Sequence, residues 1–162
     1  MAESNVRIFT IGHSNLTFDA FVALLANPDA PIATVVDVRS APYSRFAPQF
    51  NRPSLEAGLR AHGIAYRYLG DDLGGRPTDP TCYVSGQVPD GKADYLQLVD
   101  YAEVARRPWF QQGLDRLLAE AASGPTAIMC SEEDPHNCHR HHLIAKALTD
   151  RGIEARHIRK DG

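Results

Sequence analysis

The chain has 162 residues, 43% of them hydrophobic and 23% charged, which fits one compact domain spanning 1–162 and excludes two large domains or long disorder. A formal net charge of −3 and an isoelectric point near 6.1 give no long-range pull toward nucleic acid or anionic membranes. No apolar run is long enough to span a bilayer and the N-terminus lacks a signal-peptide pattern, so a cytoplasmic protein without a membrane partner is predicted.

Val6 to Ile11 is an apolar, β-rich run ending in the turn formers Gly12-His13-Ser14-Asn15, which predicts a first strand and its loop. Thr17 then caps a helix, with Leu16 and Phe21 spaced as a hydrophobic staple, and the helix is predicted to end near Asn27-Pro28. Ala33 to Val38 is apolar enough for a buried strand and carries Asp37, Arg39 and Ser40 at its exit. Prolines 42, 48 and 53 make the next stretch an irregular loop, after which Ser54 is expected to cap a short helix to His62. Ile64 to Leu69 is a third strand, followed by a polar, Gly/Pro-bearing stretch to Gly91. Tyr95 to Ala102 has helical spacing, and Pro108 opens another helix through Leu118. Thr126 to Cys130 is a fourth strand. Leu143, Ile144, Ala147 and Leu148 share one face of a helix stopping at Arg151-Gly152, and Ala155 to Ile158 is a fifth strand.

Strands alternating with helices imply right-handed crossovers and a mainly parallel sheet of about five strands, a three-layer α/β/α sandwich. In such sheets the ligand crevice lies beyond the carboxyl ends of the strands. His13, Arg39 and Cys130 each follow a strand, so all three are predicted to leave the sheet on one edge.

Cys82, Cys130 and Cys138 are an odd count in a domain that folds without staples, so reduced thiols are predicted. Cys130 taken alone reads equally well as a small buried apolar residue. With Asn137 capping a helix, Cys138 falls in its first turn, where backbone N–H groups and Arg140 favour a thiolate. The same helix start suits an anion. Cys138, Cys130, His139 and His13 are therefore the candidate catalytic residues. Arg39, Ser40, Ser44, Arg45 and Arg140 are the candidate substrate ligands, the arginines pointing into one concavity, with Asp37 and Glu132 as balancing carboxylates. His136, His139, His141 and His142 crowd Cys138, which raises a metal site, but no paired CxxC spacing supports it, and neither a metal nor a cofactor is predicted. The Gly74-Gly75 pair lacks either phosphate-loop fingerprint.

The strings Ile8-Phe9-Thr10-Ile11-Gly12-His13-Ser14-Asn15, Val36-Asp37-Val38-Arg39-Ser40 and Pro48-Gln49-Phe50-Asn51 carry a resemblance nearly end to end, as do Leu73-Gly74-Gly75, Met129-Cys130-Ser131-Glu132 and Cys138-His139-Arg140. Through them the sequence resembles the family labelled domain of unknown function 488. The resemblance implies an α/β fold and a site drawn from these motifs; it supplies neither substrate nor reaction. Three functional readings follow: an enzyme acting on a small anionic or nucleotide-like substrate through a Cys/His/Arg site; a nucleotide or nucleic-acid binding module without turnover; and a metal-binding protein using Cys130, Cys138 and a histidine.

Overall fold

Five short runs rich in β-branched and apolar residues form the strands β1 (Ile8–Gly12), β2 (Thr34–Asp37), β3 (Ala65–Tyr68), β4 (Thr126–Cys130) and β5 (Ala155–Ile158). The structure is a computed structural model, and residues 6–26, 30–90 and 94–160 are described. The strands pair in parallel throughout, in the order β3-β2-β4-β1-β5. The three predicted central strands are thus β2, β4 and β1, and the expected sandwich is the fold observed.

Side chains alternate across the sheet and divide the core in two. Phe9, Ile11, Val35, Ala127 and Met129 pack with Phe21, Leu25, Leu55 and Leu59, from α1 (Phe18–Leu25) and α2 (Arg52–Ala61). Ile8, Val36, Ile128 and Cys130 pack on the other face. There they meet α3 (Gly70–Leu73), α5 (Tyr101–Ala105), α6 (Pro108–Ala121) and α7 (Lys146–Asp150). A short α4 (Tyr95–Leu98) precedes α5. Connections from β1 and β2 run one way along the sheet over the first face, while those from β3 and β4 run the other way over the second. A uniform crossover hand demands this pairing of direction and face. The directions diverge at β4, so a crevice opens beyond its carboxyl end.

Local signals explain most boundaries. Thr17 caps α1, its Oγ1 accepting from Ala20 N–H at 3.1 Å, and Gly152 ends the last helix at φ +78°. α1 closes at Leu25; its predicted end at Asn27-Pro28 lies outside the described residues. Four expectations need correction. Helix α2 starts at Arg52 with Asn51 at its N-cap position, three residues before the predicted Ser54 cap, because a first-turn proline at position 53 gives up no helical hydrogen bond. The 41–53 loop contains a 3₁₀ turn, Pro48–Phe50. The predicted continuous helix over 95–102 breaks at Val99, which forms an antiparallel bridge with Tyr83, after which Asp100 caps α5 through Glu103 N–H. Finally, the helix after β4 opens as a π-helix, Arg140–Ala145.

Candidate active site

The carboxyl ends of β1, β2 and β4 are tied together by backbone. His13 N–H donates to Cys130 O at 3.0 Å, Ser14 N–H to Ser131 O at 2.8 Å, and Val38 N–H to Met129 O at 3.0 Å. Gly12 is required here, since a Cβ would stand 1.6 Å from Glu132 O. Over this edge lies a cavity of about 380 Å³ whose walls include Arg39, Ser40, Ser44, Arg76, Cys130, Glu132, Cys138 and His139. The two distant segments singled out in the sequence therefore meet.

Arg39 is the most tightly held group of the site. Its Nε donates to Asp37 Oδ1 at 2.9 Å, and its Nη2 donates to Asp37 Oδ2 and to Phe50 O, each at 2.8 Å. Asp37 is fully buried and also accepts from Tyr66 Oη at 2.6 Å. Burial, reinforced by this carboxylate, pushes the Tyr66 hydroxyl up from its usual range. Arg39 Nη1 lies 3.3 Å from His13 Nε2, and His13 Nδ1 lies 2.8 Å from Ser14 O. A carbonyl only accepts, so the His13 proton sits on Nδ1 and Nε2 receives one Nη1 hydrogen. Four of the five guanidinium hydrogens are thereby engaged, and the fifth, on Nη1, has no protein partner. His13 stacks on Phe50 with ring centroids 4.6 Å apart, and burial lowers its pKa to about 4. It orients Arg39 and is not among the residues lining the cavity.

Cys130 ends β4 and is 2% exposed; Cys138 is 5% exposed. The sulfurs of Cys130 and Cys138 stand in contact across the 131–137 loop, with their Cα atoms 7.5 Å apart, and Cys82 is free and buried. The 3₁₀ turn Pro135–Asn137, capped by Asp134, folds the loop back so that the two sulfurs meet. Cys138 itself stands one residue earlier relative to the helix than predicted, at the capping position. Its carbonyl accepts from His141 N–H at 3.2 Å, and its Sγ accepts from Arg140 N–H at 3.5 Å. His139 Nε2 lies 3.1 Å from Val38 O, which places its proton there and leaves Nδ1 bare, 3.6 Å from Cys138 Sγ. Burial lowers the His139 pKa to about 4, the carbonyls of Val38 and Leu73 offsetting part of the shift. The ring is therefore neutral at neutral pH.

The predicted gathering of three arginines does not occur. Arg45 is exposed and is not among the cavity-lining residues. Arg140 is fully buried behind the loop, donating to Thr10 Oγ1 at 3.2 Å and to the carbonyls of Glu132 and Glu133 at 2.8 and 2.7 Å. Burial lowers its pKa to about 10. Its hydrogen bonds hold the loop that carries Glu132, so its work is internal. Ser44 Oγ accepts from Phe46 and Ala47 N–H and shapes the rim loop. His136, His141, His142 and His157 gather near β5, with His141 Nδ1 3.4 Å from His157 Nε2. Among the described residues no three His, Cys, Asp or Glu side chains are grouped to hold a metal ion.

Arg76 is the residue that sequence reasoning missed. It enters the cavity wall in place of Arg45 and Arg140, its N–H donating to Ser40 Oγ at 3.0 Å and its guanidinium lying 4.5 Å from the Tyr95 ring centroid. The signal was Gly74-Gly75. A Cβ at Gly74 would meet Ser40 Oγ at 2.3 Å, and one at Gly75 would meet the His139 ring at 2.7 Å. These glycines serve close approach, not phosphate cradling. Asp94 and Glu132 also line the cavity and are exposed.

Among the described residues no helix is long and apolar enough to cross a membrane. Comparison with curated proteins and with solved structures returns no match. A family model, domain of unknown function DUF488, matches residues 17–147, a span that holds Arg39, Arg76 and both cysteines of the cavity but leaves out β1 with His13. Since the match covers most of the sequence, the chain belongs to the DUF488 family.

Proposed function

We propose that the cavity at the end of β4 is the active site of an enzyme that acts on a small anionic or nucleotide-like substrate through thiol chemistry. One observation carries the reading: Cys138 Sγ, the bare Nδ1 of His139 and the unengaged Nη1 hydrogen of Arg39 belong to residues lining a single cavity. In the reduced protein Cys138 is the nucleophile: its thiolate is stabilised by the Arg140 N–H at the helix start, His139 Nδ1 accepts the thiol's hydrogen bond, and the thiol proton passes to solvent. Arg39, preset by Asp37 and His13, orients the anion, and Arg76 adds a second guanidinium.

Binding without turnover is the second reading, favoured by Tyr43, Tyr95 and Tyr101 in the same wall and by Arg76 over the Tyr95 ring, a surface suited to a planar base. Alkylation separates the two. In reduced protein, Cys138 is expected to react with iodoacetamide about tenfold faster than a free thiol at neutral pH, and inorganic phosphate should slow it in the wild type but not in Arg39→Met. A Cys138 no more reactive than a free thiol and indifferent to phosphate would overturn the enzyme reading.

A further inference from the structure

The two sulfurs of the cavity wall stand in unlike surroundings. Cys138 Sγ accepts a backbone N–H from Arg140 at 3.5 Å and faces His139 Nδ1 at 3.6 Å. Cys130 Sγ faces the carbonyl oxygen of Glu132 at 3.8 Å, a neighbour that suits a protonated thiol and repels a thiolate. Yet the two sulfurs stand in contact across the 131–137 loop. A nucleophile used only for acyl or phosphoryl transfer has no need of a second sulfur within bonding reach; one whose adduct is itself a disulfide does.

We infer that Cys138 and Cys130 work in sequence, as attacking and resolving thiols, in a two-electron exchange with an anionic low-mass disulfide seated against Arg39. This inference rests on the active site proposed above. In the first step the Cys138 thiolate attacks one sulfur of the substrate disulfide. A bond forms between Cys138 Sγ and that sulfur, the substrate S–S bond breaks, and one thiolate leaves and takes up a proton. In the second step the Cys130 thiol loses its proton and attacks Cys138 Sγ, releasing the second substrate thiolate and closing the Cys130–Cys138 bond. The substrate disulfide is reduced to two thiols and the protein dithiol is oxidised to the disulfide. A dithiol reductant resets the pair. His139, tied to Val38 O through Nε2, accepts a hydrogen bond from the Cys138 thiol at Nδ1, and the thiol proton passes to solvent at the outset.

The test uses oxidised glutathione as the anionic disulfide and intact mass after acid quenching, starting from fully reduced full-length chain. The wild type is expected to release two glutathiones per chain and end with one internal disulfide, with Cys82, which is fully buried, still a thiol. Cys130→Ser should stop at a single glutathione adduct on Cys138, while Cys138→Ser should react about tenfold more slowly or less. Should Cys130→Ser fail to fold, rapid quenching of the wild type reads the same intermediate as a transient adduct on Cys138. The neutral 2-hydroxyethyl disulfide should react about tenfold more slowly than oxidised glutathione in the wild type, and Arg39→Met should close that gap. An adduct lodged first on Cys130, equal reactivity of the two single variants, or oxidation by hydrogen peroxide but not by either disulfide would overturn the inference. If oxidised glutathione leaves the dithiol intact while phosphate still protects a fast-alkylating Cys138, the exchange is wrong and the active site stands; if alkylation too is slow and unprotected, both fall.

Discussion

Arg39 and Arg140 both follow strands of the same sheet edge, and both are almost wholly buried, 4% and 0% exposed. Their partners differ. Arg39 is neutralised by a buried carboxylate in bidentate contact, its remaining partners leave one Nη1 hydrogen unengaged, and the residue lines the cavity. Arg140 donates to a hydroxyl and two backbone carbonyls and leaves its Nε without a partner, but it is fully buried and does not line the cavity. An arginine near a strand end is a candidate ligand group only where it lines the cavity. The sequence spells both as an arginine among polar residues; only the location of Asp37, two residues before Arg39 and on the same face of β2, separates them.

Breaking the carboxylate contact should have the largest effect. Asp37→Ala removes the partner of a buried guanidinium and is expected to cost about 3–5 kcal/mol in chemical denaturation, with loss of phosphate protection at Cys138; a cost typical of a surface change would contradict the account. Arg140→Met should cost less, about 1–3 kcal/mol for carbonyls left without donors, and should leave phosphate protection in place, since Arg140 touches the loop and not the cavity. Loss of protection without loss of stability would reverse the two assignments.

Acid sharpens the comparison by a smaller step. His13 and His139 have native pKa values near 4 against 6.5 in the unfolded chain, so between those values the unfolded state binds more protons. Their contribution is fully present above 6.5 and is lost as pH falls toward 4, at a slope of up to about 1.4 kcal/mol per pH unit for each histidine. Equilibrium unfolding measured across that window should show the slope, and His13→Phe should reduce it while weakening phosphate protection, because Arg39 then loses the acceptor that fixes Nη1. A slope unchanged in the variant would remove His13 from the Arg39 network.

The sheet was legible because its central strands are short, apolar and rich in β-branched residues; Thr126–Cys130 and Ala155–Ile158 fall where they were expected, although the edge strands carry Arg67, Arg156 and His157. The meeting of Arg39 with Cys130 followed from parallel strands alone. What sequence could not yield depends on loops. Whether Arg45 points inward is decided by a rim loop shaped through Ser44 and Asn51, and Arg76 enters only because two glycines let its segment lie against Ser40 and the His139 ring. The contact of the two sulfurs depends on a 3₁₀ turn at Pro135 that folds Cys138 back onto Cys130. Asn137 and Cys138 compete for one capping position, and that choice is made by geometry beyond residue type.

The most direct measurement of the central claim is a crystal structure of the reduced protein soaked with inorganic phosphate. The account predicts an ordered phosphate within hydrogen-bonding distance of Arg39 Nη1, in the cavity bordered by Cys138 and His139, with the Asp37–Arg39–His13 contacts unchanged. Phosphate bound instead at exposed Arg45, or a cavity that takes up no anion while phosphate orders elsewhere, would contradict it.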